Sequence, residues 1–259
     1  MKIATFNING IKARLEAVST WLGEERPDVA LLQEIKTVDE GFPREAIEDL
    51  GYRVETHGQK GFNGVAILSR LPLEDVVRGL PGDEGDEQAR WIEATVIGLK
   101  AVRVVALYAP NGNPAPGPKY DYKLAWLARA RERAAELLLQ EEPFVLGGDW
   151  NVIEQDTDAA RPEAWREDAL ALPDTRAAYR RLINLGLTNG LRARHPEPGL
   201  YSFWDFQAWA WEKNNGILID HLLLAPQAAD LLIGAGIDKD MRGRTKPSDH
   251  VPVWVELDA

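Results

Sequence analysis

The sequence predicts an α/β sandwich, with helices packed against many mainly antiparallel strands. Three observations carry that reading. Period-2 apolar alternation and helical apolar spacing succeed one another along the chain. Strand-like runs are numerous and separated by short Gly, Pro and Asp turns, which disfavours a doubly wound parallel sheet. No change of composition marks a linker, and no repeat or low-complexity segment interrupts the pattern. The 259 residues are enough to bury a sizeable core, and residues 1–259 are expected to form a single domain.

The elements follow in order. Ala4, Phe6 and Ile8 alternate as in a strand with one buried face. Ile11, Leu15, Val18 and Leu22 then take helical spacing until Pro27 stops the helix. Residues 29–32 are a short apolar run, which puts Glu34 at a strand end. Residues 64–69, 91–97 and 102–107 read as strands of an antiparallel meander, with an exposed acidic loop from Asp83 to Glu87 between two of them. The Pro, Gly and Asn of 111–118 form a loop. A long helix is expected over 122–140, with Leu124, Leu127, Ala134, Leu137 and Leu138 as its apolar stripe. Residues 143–148 are the next strand, 154–161 a polar loop, and 175–185 a helix. Further strands are expected around Ser202, over 217–224 and over 251–257.

Charge and composition exclude several classes. Lys and Arg number 30 against 41 Asp and Glu, a formal charge of −11. Bulk charge therefore does not draw the chain to polyanions; nucleic acid or phosphate would need a local basic patch or a divalent cation. With 0 Cys, disulfides, zinc–thiolate sites and cysteine nucleophiles are impossible. No basic segment followed by an apolar stretch opens the sequence, and no apolar run approaches the roughly 20 residues that span a bilayer. A soluble cytoplasmic protein without membrane contact is expected.

The chemistry-bearing residues fall in a pattern. Asn7 and Glu34 end strands, and Asp149 and Asn151 follow the apolar run Phe144-Val145-Leu146 through Gly147-Gly148. Asp220 interrupts the apolar run Ile217-Leu218-Ile219, and Asp249-His250 precedes the apolar-patterned Val251 to Val255. A carboxylate in an apolar strand is costly unless paired or bound to a cation. Oxygen-rich donor sets without Cys favour Mg²⁺ or Mn²⁺ over Zn²⁺. Asp220 is placed to orient the His250 ring, while His221 should face the other way and be structural. Taken singly, each of these groups is better explained as a strand-end cap, a turn former or half of an ion pair; the joint pattern makes that less attractive.

Motifs spread nearly end to end along the chain carry a family resemblance. They are Thr5-Phe6-Asn7-Ile8-Asn9-Gly10, Leu32-Gln33-Glu34-Ile35-Lys36-Thr37, Gly61-Phe62-Asn63-Gly64-Val65, Tyr108-Ala109-Pro110-Asn111-Gly112, Gly148-Asp149-Trp150-Asn151, Asn215-Gly216-Ile217-Leu218-Ile219-Asp220 and Ser248-Asp249-His250-Val251-Pro252. In this order they resemble the exonuclease III and AP endonuclease family of the endonuclease/exonuclease/phosphatase superfamily. The resemblance implies a four-layer αββα sandwich with two mainly antiparallel sheets face to face. It also implies Mg²⁺-dependent phosphodiester hydrolysis on double-stranded DNA, at 3′ ends and abasic sites, with removal of 3′-blocking phosphates, by a monomer. Mn²⁺ should substitute.

Roles carry over by likeness. Glu34 is similar to the main metal ligand with Asn7 beside it, and Asp249 to a residue near the metal. Asp149 is similar to the group that orients or deprotonates the attacking water, and Asn151 to its helper; Asp149, Asn151 and His250 are also counted as metal-site residues. His250 resembles the histidine that contacts the scissile phosphate, with Asp220 as its partner. Tyr108 and Asn111 resemble phosphate-site residues, and Asn9 a group near the metal. Phe203, Ile217 and Ile219 align with a pocket for an extruded abasic sugar, and Trp209 and Trp211 are placed to wedge into DNA. Trp204 is expected in the core. Lys119, Tyr120, Tyr122 and Lys123, with Arg242, Arg244 and Lys246, are the expected phosphate-contacting rim.

Three departures stand out: Leu218 where relatives usually carry Arg, Trp150 between two active-site positions, and Asn189 where Asp is common. Two other readings fit the same motifs. One is a phosphodiesterase or phosphatase of the superfamily acting on a non-DNA phosphoester. The other is a catalytically silent DNA-binding relative, which retention of the whole polar set disfavours.

Overall fold

A computed structural model describes residues 1–259, and both faces of its central strands are buried. The chain opens with β1 (Lys2–Asn7), α1 (Ile11–Glu25) and β2 (Val29–Gln33). In β2, Val29 and Leu31 point to one core while Ala30 and Leu32 point to another. A strand buried on both faces needs a layer on each side, so the strands form two sheets with helices outside. The helix α1 ends where Arg26 turns left-handed (φ 46°) and Pro27 follows.

Next come α2 (Arg44–Glu48), β3 (Arg53–His57), β4 (Val65–Ser69), β5 (Leu73–Arg78), β6 (Trp91–Ile97) and β7 (Ala101–Tyr108). The long helix α3 (Pro118–Leu138) leads into β8 (Phe144–Asp149). Then follow α4 (Pro173–Ile183), β9 (Thr188–Asn189), α5 (Gly190–Arg194), β10 (Asp220–Leu224), α6 (Pro226–Ala229), β11 (Leu232–Ile237) and β12 (Val253–Leu257).

One sheet has the order β11-β12-β1-β2-β4-β3 and the other β5-β6-β7-β8-β10-β9. Each contains a single parallel pair, β1/β2 and β7/β8, flanked by antiparallel neighbours. Each parallel pair is joined by a helix, α1 or α3, so each sheet is built around one βαβ unit. The carboxyl ends of all four parallel strands lie at Asn7, Gln33, Tyr108 and Asp149, in register as Asn7 with Gln33 and Tyr108 with Asp149. That placement puts the polar residues at one rim, where open α/β sheets bind ligands.

Between the sheets lies an aliphatic core of Val29, Leu31, Val104, Val145, Leu222 and their neighbours. Gly147 permits the close approach, since a Cβ there would stand 2.6 Å from Leu31 Cδ1. Outside, α1 covers the first sheet through Val18, Trp21 and Leu22. The second is covered by α3 and α4 through Trp126, Leu127, Ala134, Tyr179 and Leu182.

The structure corrects several sequence expectations. Residues 64–69 are a strand, but β4 pairs with β2 and β3; the meander is β5-β6-β7 in the other sheet. The edge strands β3, β5 and β11 lack the apolar run that marks a buried strand, and the reading missed them. The long helix starts at Pro118, because proline fits the first helical position that a loop reading assigns to a turn. Its buried stripe is Tyr120, Lys123, Trp126, Leu127, Ala130, Ala134 and Leu137, with Leu124 and Leu138 on the flank. Ser202 lies in a loop joined to Ile217 and His250 by isolated bridges of Phe203, and the strand expected from 217 begins at Asp220. Within the acidic loop, Asp86 is an anchor: Arg129 of α3 and the Tyr122 hydroxyl both bind its carboxylate. No helix is long and apolar enough to cross a membrane.

A second acid ties a helix to a sheet. Glu93 of β6 is fully buried and accepts from Arg103 (3.2 Å) and from Arg133 of α3 (2.7 Å). Removing one partner from such a cluster leaves like charges facing each other. Glu93→Ala is therefore expected to lower the unfolding free energy by about 3 kcal/mol in urea melts. A loss below about 1 kcal/mol would assign the cluster to the weakly coupled surface class.

Candidate active site

Three segments of the first sheet's rim meet three of the second. Asn7, buried at the end of β1, donates its Nδ2 hydrogens to Glu34 Oε1 and to Asp149 Oδ2, both at 3.0 Å. One side-chain amide thus spans the two sheets. Asn7 Oδ1 accepts from the Asn9 backbone N–H at 3.1 Å. Glu34 follows β2 in a left-handed conformation (φ 54°), which turns its side chain back over the rim. Its Oε1 also accepts from the Tyr108 hydroxyl at 2.8 Å, and Lys36 Nζ stands 2.6 Å from Oε2. Burial works against the Glu34 charge, but the donors Asn7, Lys36 and Tyr108 outweigh it and hold the carboxyl below its ordinary range. Tyr108 has the opposite environment. Burial, then the Glu34 and Asp149 charges, push its phenol well above the ordinary value, so it stays a proton donor.

On the second sheet, Asp149 Oδ1 accepts from the Asn151 N–H at 2.9 Å. Asp149 is paired across β8 and β10 with Asp220, so two carboxylates are set side by side by strand register. Burial, only partly offset by His250 and reinforced by Asp220, lifts the Asp149 carboxyl to about 7. Asp220 Oδ2 accepts from Ser202 Oγ at 2.6 Å and from His250 Nδ1 at 2.8 Å, and its Oδ1 is buried without a partner. Nε2 of the same ring lies 3.6 Å from Asp149 Oδ2. Burial disfavours the imidazolium, but the Asp220 and Asp149 carboxylates overcome it and raise His250 to about 10. Both ring nitrogens therefore carry hydrogens at neutral pH. Phe203 closes the site, its ring edge-on to His250 at 5.0 Å.

Asn151 sits beyond β8 with φ 50°. Its Nδ2 donates to the Ala109 carbonyl at 2.9 Å, and its Oδ1 accepts from Asn111 Nδ2 at 3.3 Å. Asp249 stands at the margin, accepting from Asn9 Nδ2 at 3.1 Å, while Lys36 Nζ donates to Asn9 Oδ1. A cleft of about 950 Å³ opens beside Tyr108, lined by Phe62, Gln88, Arg90, Asn111, Lys119 and Tyr122 among others. Arg90 props the Tyr108 segment, donating to its carbonyl at 3.1 Å with its guanidinium 4.9 Å above the ring.

The structure thus brings together Asn7, Glu34, Tyr108, Asp149, Asn151, Asp220 and His250, with Asn9, Asn111 and Asp249 around them. Ile217 and Ile219 are buried in a small apolar cluster with Ile153, Ala159 and Leu170, and Phe203 lies against it. They form the floor under Phe203 and expose almost no surface of their own. Trp209 is 71% exposed on a loop, with φ 59°. Trp204 is buried, as its pattern suggested.

The expected basic rim is thinner than the sequence implied. Lys119 and Lys246 are exposed, but Lys123 is fully buried. Tyr120 is buried, and Tyr122 bonds to Asp86. Arg242 is mostly buried over Phe206 and donates to the Trp204 carbonyl, while Arg244 pairs with Glu24. The departures also find places. Trp150 turns away from the rim into the outer core, where its indole donates to the His221 carbonyl at 3.1 Å. Leu218 joins the inter-sheet core, and Arg192 binds Asp158 beside it. Asn189 caps α5 by accepting from the Arg192 N–H and donates to His221 Nδ1. Lys36, Ser202 and Arg90 also belong to the site; the first follows Glu34 closely in the sequence, but only folding shows what the other two touch.

Residues 4–250 match the endonuclease/exonuclease/phosphatase family. The chain is 36% identical to exodeoxyribonuclease III of Haemophilus influenzae, covering 99% of this chain and 100% of that one. It is 30% identical to an exodeoxyribonuclease of Bacillus subtilis over 98% of each. A Neisseria 3′ phosphatase, NExo, solved with a product DNA hairpin, superposes with a TM-score of 0.96 at 37% identity and full coverage of both chains. An AP endonuclease from Archaeoglobus fulgidus does so at 0.95 and 35%, again over the whole of both.

The Asp220–His250 pair is open to direct measurement. The imidazolium contributes stability fully below its ordinary value of 6.5, and that contribution is lost as pH rises through about 10. Asp220→Asn removes the larger attraction. In EDTA-treated protein, the His250 protonation midpoint is expected to fall from about 10 toward the ordinary imidazole range by NMR titration. An unmoved midpoint would mean that Asp149 alone holds the charge.

Proposed function

Because this chain belongs to the endonuclease/exonuclease/phosphatase family, we propose that it is a Mg²⁺-dependent DNA-repair nuclease hydrolysing phosphodiesters of double-stranded DNA. It is an enzyme of the exodeoxyribonuclease III type. The finer reading gives it 3′→5′ exonuclease action, cleavage at abasic sites, and removal of 3′ phosphates. The observation that carries this reading is the convergence at one rim of a cation-type oxygen set and a carboxylate–imidazolium pair. We take residues 1–259 as one catalytic unit, because the site draws on both Asn7 and His250 of one chain, and a monomer is the state that the family resemblance implies.

The donor set fits a hard divalent cation. Glu34 is held ionised, Asn7 offers an amide oxygen, Asp149 and Asp249 are near, and no thiol competes. The Lys36 ammonium against Glu34 shows that this carboxylate attracts positive charge. Asp149, Asp220 and His250 also converge, with donor atoms within 4.8 Å, but a charged imidazolium has no lone pair to give. We therefore assign the cation to the Glu34 and Asn7 side. Mg²⁺ bound there would supply Lewis acidity to the phosphoryl oxygens and stabilise the leaving 3′ oxygen.

The chain's own groups divide the remaining work. Asp149, with a carboxyl near neutrality, orients the attacking water and accepts its proton. Asn151 places that water from the side. His250 donates from Nε2 to a nonbridging phosphate oxygen, and Asp220 keeps it charged and fixed in angle. Asn111 has a second Nδ2 hydrogen for the same phosphate, and Tyr108 donates to it by turning its single O–H from Glu34. Phe203, over the floor of Ile217 and Ile219, offers an apolar surface to a sugar that lacks its base. Trp209 and the cleft lined by Lys119 would hold flanking DNA.

The purified protein should cut a labelled duplex in Mg²⁺, as a ladder from the 3′ end or a single break at an abasic site, and should not cut in EDTA. Silence with every divalent metal would move the reading to a small phosphoester or a binding role. Asp149→Asn should reduce turnover by about 10²–10⁴-fold while DNA affinity persists, and a variant within tenfold of wild type would remove the base assignment. Glu34→Ala should shift the Mg²⁺ concentration for half-maximal rate upward by at least about tenfold. An unchanged titration would take Glu34 out of the cation site.

A further inference from the structure

A fully buried lysine lies behind the site and has no role in the scheme above. Lys123, in the second turn of α3, is fully buried. Its Nζ donates to two backbone carbonyls, Asn111 O at 3.0 Å and Asn151 O at 2.6 Å. Those two residues come from different segments, the loop after β7 and the loop after β8. Their side chains meet in front at 3.3 Å, Asn111 Nδ2 to Asn151 Oδ1. The lysine therefore ties from behind what the amides join in front.

Two further observations show that the arrangement is built to close tolerance. Asn151 holds φ 50°, a conformation that a residue with a Cβ keeps only when its surroundings enforce it. Its carbonyl is the group that Lys123 grips. Gly112 has φ 91°, and a Cβ on it would stand 2.7 Å from Lys123 Cδ. The loop thus lies directly on the lysine stem. A buried amino group in an outer core of Trp126, Leu127 and Trp150 is costly unless its hydrogens are satisfied, and a hydrophobic residue would fill the same stripe of α3 at less expense.

We propose that Lys123 is a positioning residue: it clamps the Asn111 and Asn151 backbones so that the phosphate-site and water-site amides keep one fixed spacing. The assignment rests on the functional reading of those two amides. The clamp requires two N–H donors, which both the ammonium and the neutral amine possess, so it does not depend on the lysine's charge.

Lys123→Met keeps the stem's volume and removes the donors. With an abasic or 3′-ended duplex, kcat is expected to fall about 30-fold, as for displaced reacting groups, with KM and DNA affinity within about threefold. In the double variant K123M/N151A the added loss should be well below the roughly 30-fold seen in the single variant, because one of the two amides that the lysine positions is already gone. Hydrogen exchange, which needs no activity, should quicken over residues 109–113 and 150–153 and stay unchanged in β1. Should K123M not fold, Lys123→Gln, with its amide on a stem one atom shorter, is read in the same way, with smaller losses. A K123M kcat within about twofold of wild type, or losses that multiply in the double variant, would overturn the positioning role. Unchanged exchange would overturn the clamp itself. A wild-type protein that leaves duplex DNA intact would instead sink the functional reading, and the exchange result would still decide the clamp.

Discussion

The Asn7 amide is the point on which the site depends. Two sheets that meet only through aliphatic side chains can slide, because dispersion and hydrophobic burial are not directional. A hydrogen-bonded amide is directional. By giving one hydrogen to Glu34 and the other to Asp149, Asn7 sets the distance between a carboxylate of the first sheet and a carboxylate of the second. Its own position is set in turn by β1, whose side chains are buried on both faces. Each acid then acquires its character from its neighbours. Glu34, among donors, stays charged; Asp149, buried beside another acid, is lifted toward neutrality. Two groups of the same chemical type thus suit two different tasks.

Strand register does for the second sheet what the amide does across the gap. Asp149 and Asp220 are direct partners on antiparallel strands, a pairing that repels unless something positive lies between. His250 supplies that charge, with Nδ1 on Asp220 and Nε2 toward Asp149. The free lone pairs of the Asp220 Oδ1 atom, buried without a partner, add to the field that keeps the ring protonated. Phe203 and the isoleucines beneath it exclude water, so these charges act at low effective dielectric.

Much of this was legible before folding, and for identifiable reasons. Polar residues at the ends of apolar runs show themselves because burial makes them expensive, and Asn7, Glu34, Asp149 and Asp220 were all visible in this way. The buried parallel strands were visible too, as short apolar runs. Edge strands such as β5 were not, because half their surface faces water and their composition is that of a loop. Nor did the sequence distinguish a lysine on a rim from one in a core. Lys119 and Lys123 are one turn apart on α3, yet one is exposed and the other is sealed by Gly112. Ser202 and Arg90 were hidden for a third reason: a hydroxyl or guanidinium that serves a distant group carries no local periodicity.

The topology also bears on when the protein becomes able to act. The first strand, β1, is completed on its outer side by the last, β12, and His250 arrives only with the turn that leads into that strand. Translation proceeds from the Asn7 end. A nascent chain that has emerged as far as α5 already holds Glu34, Tyr108 and Asp149, but Asp220 and its imidazole are still missing. Folding order and the assembly of the rim are thus linked: the Asp220–His250 pair is completed only with the closing strand pair.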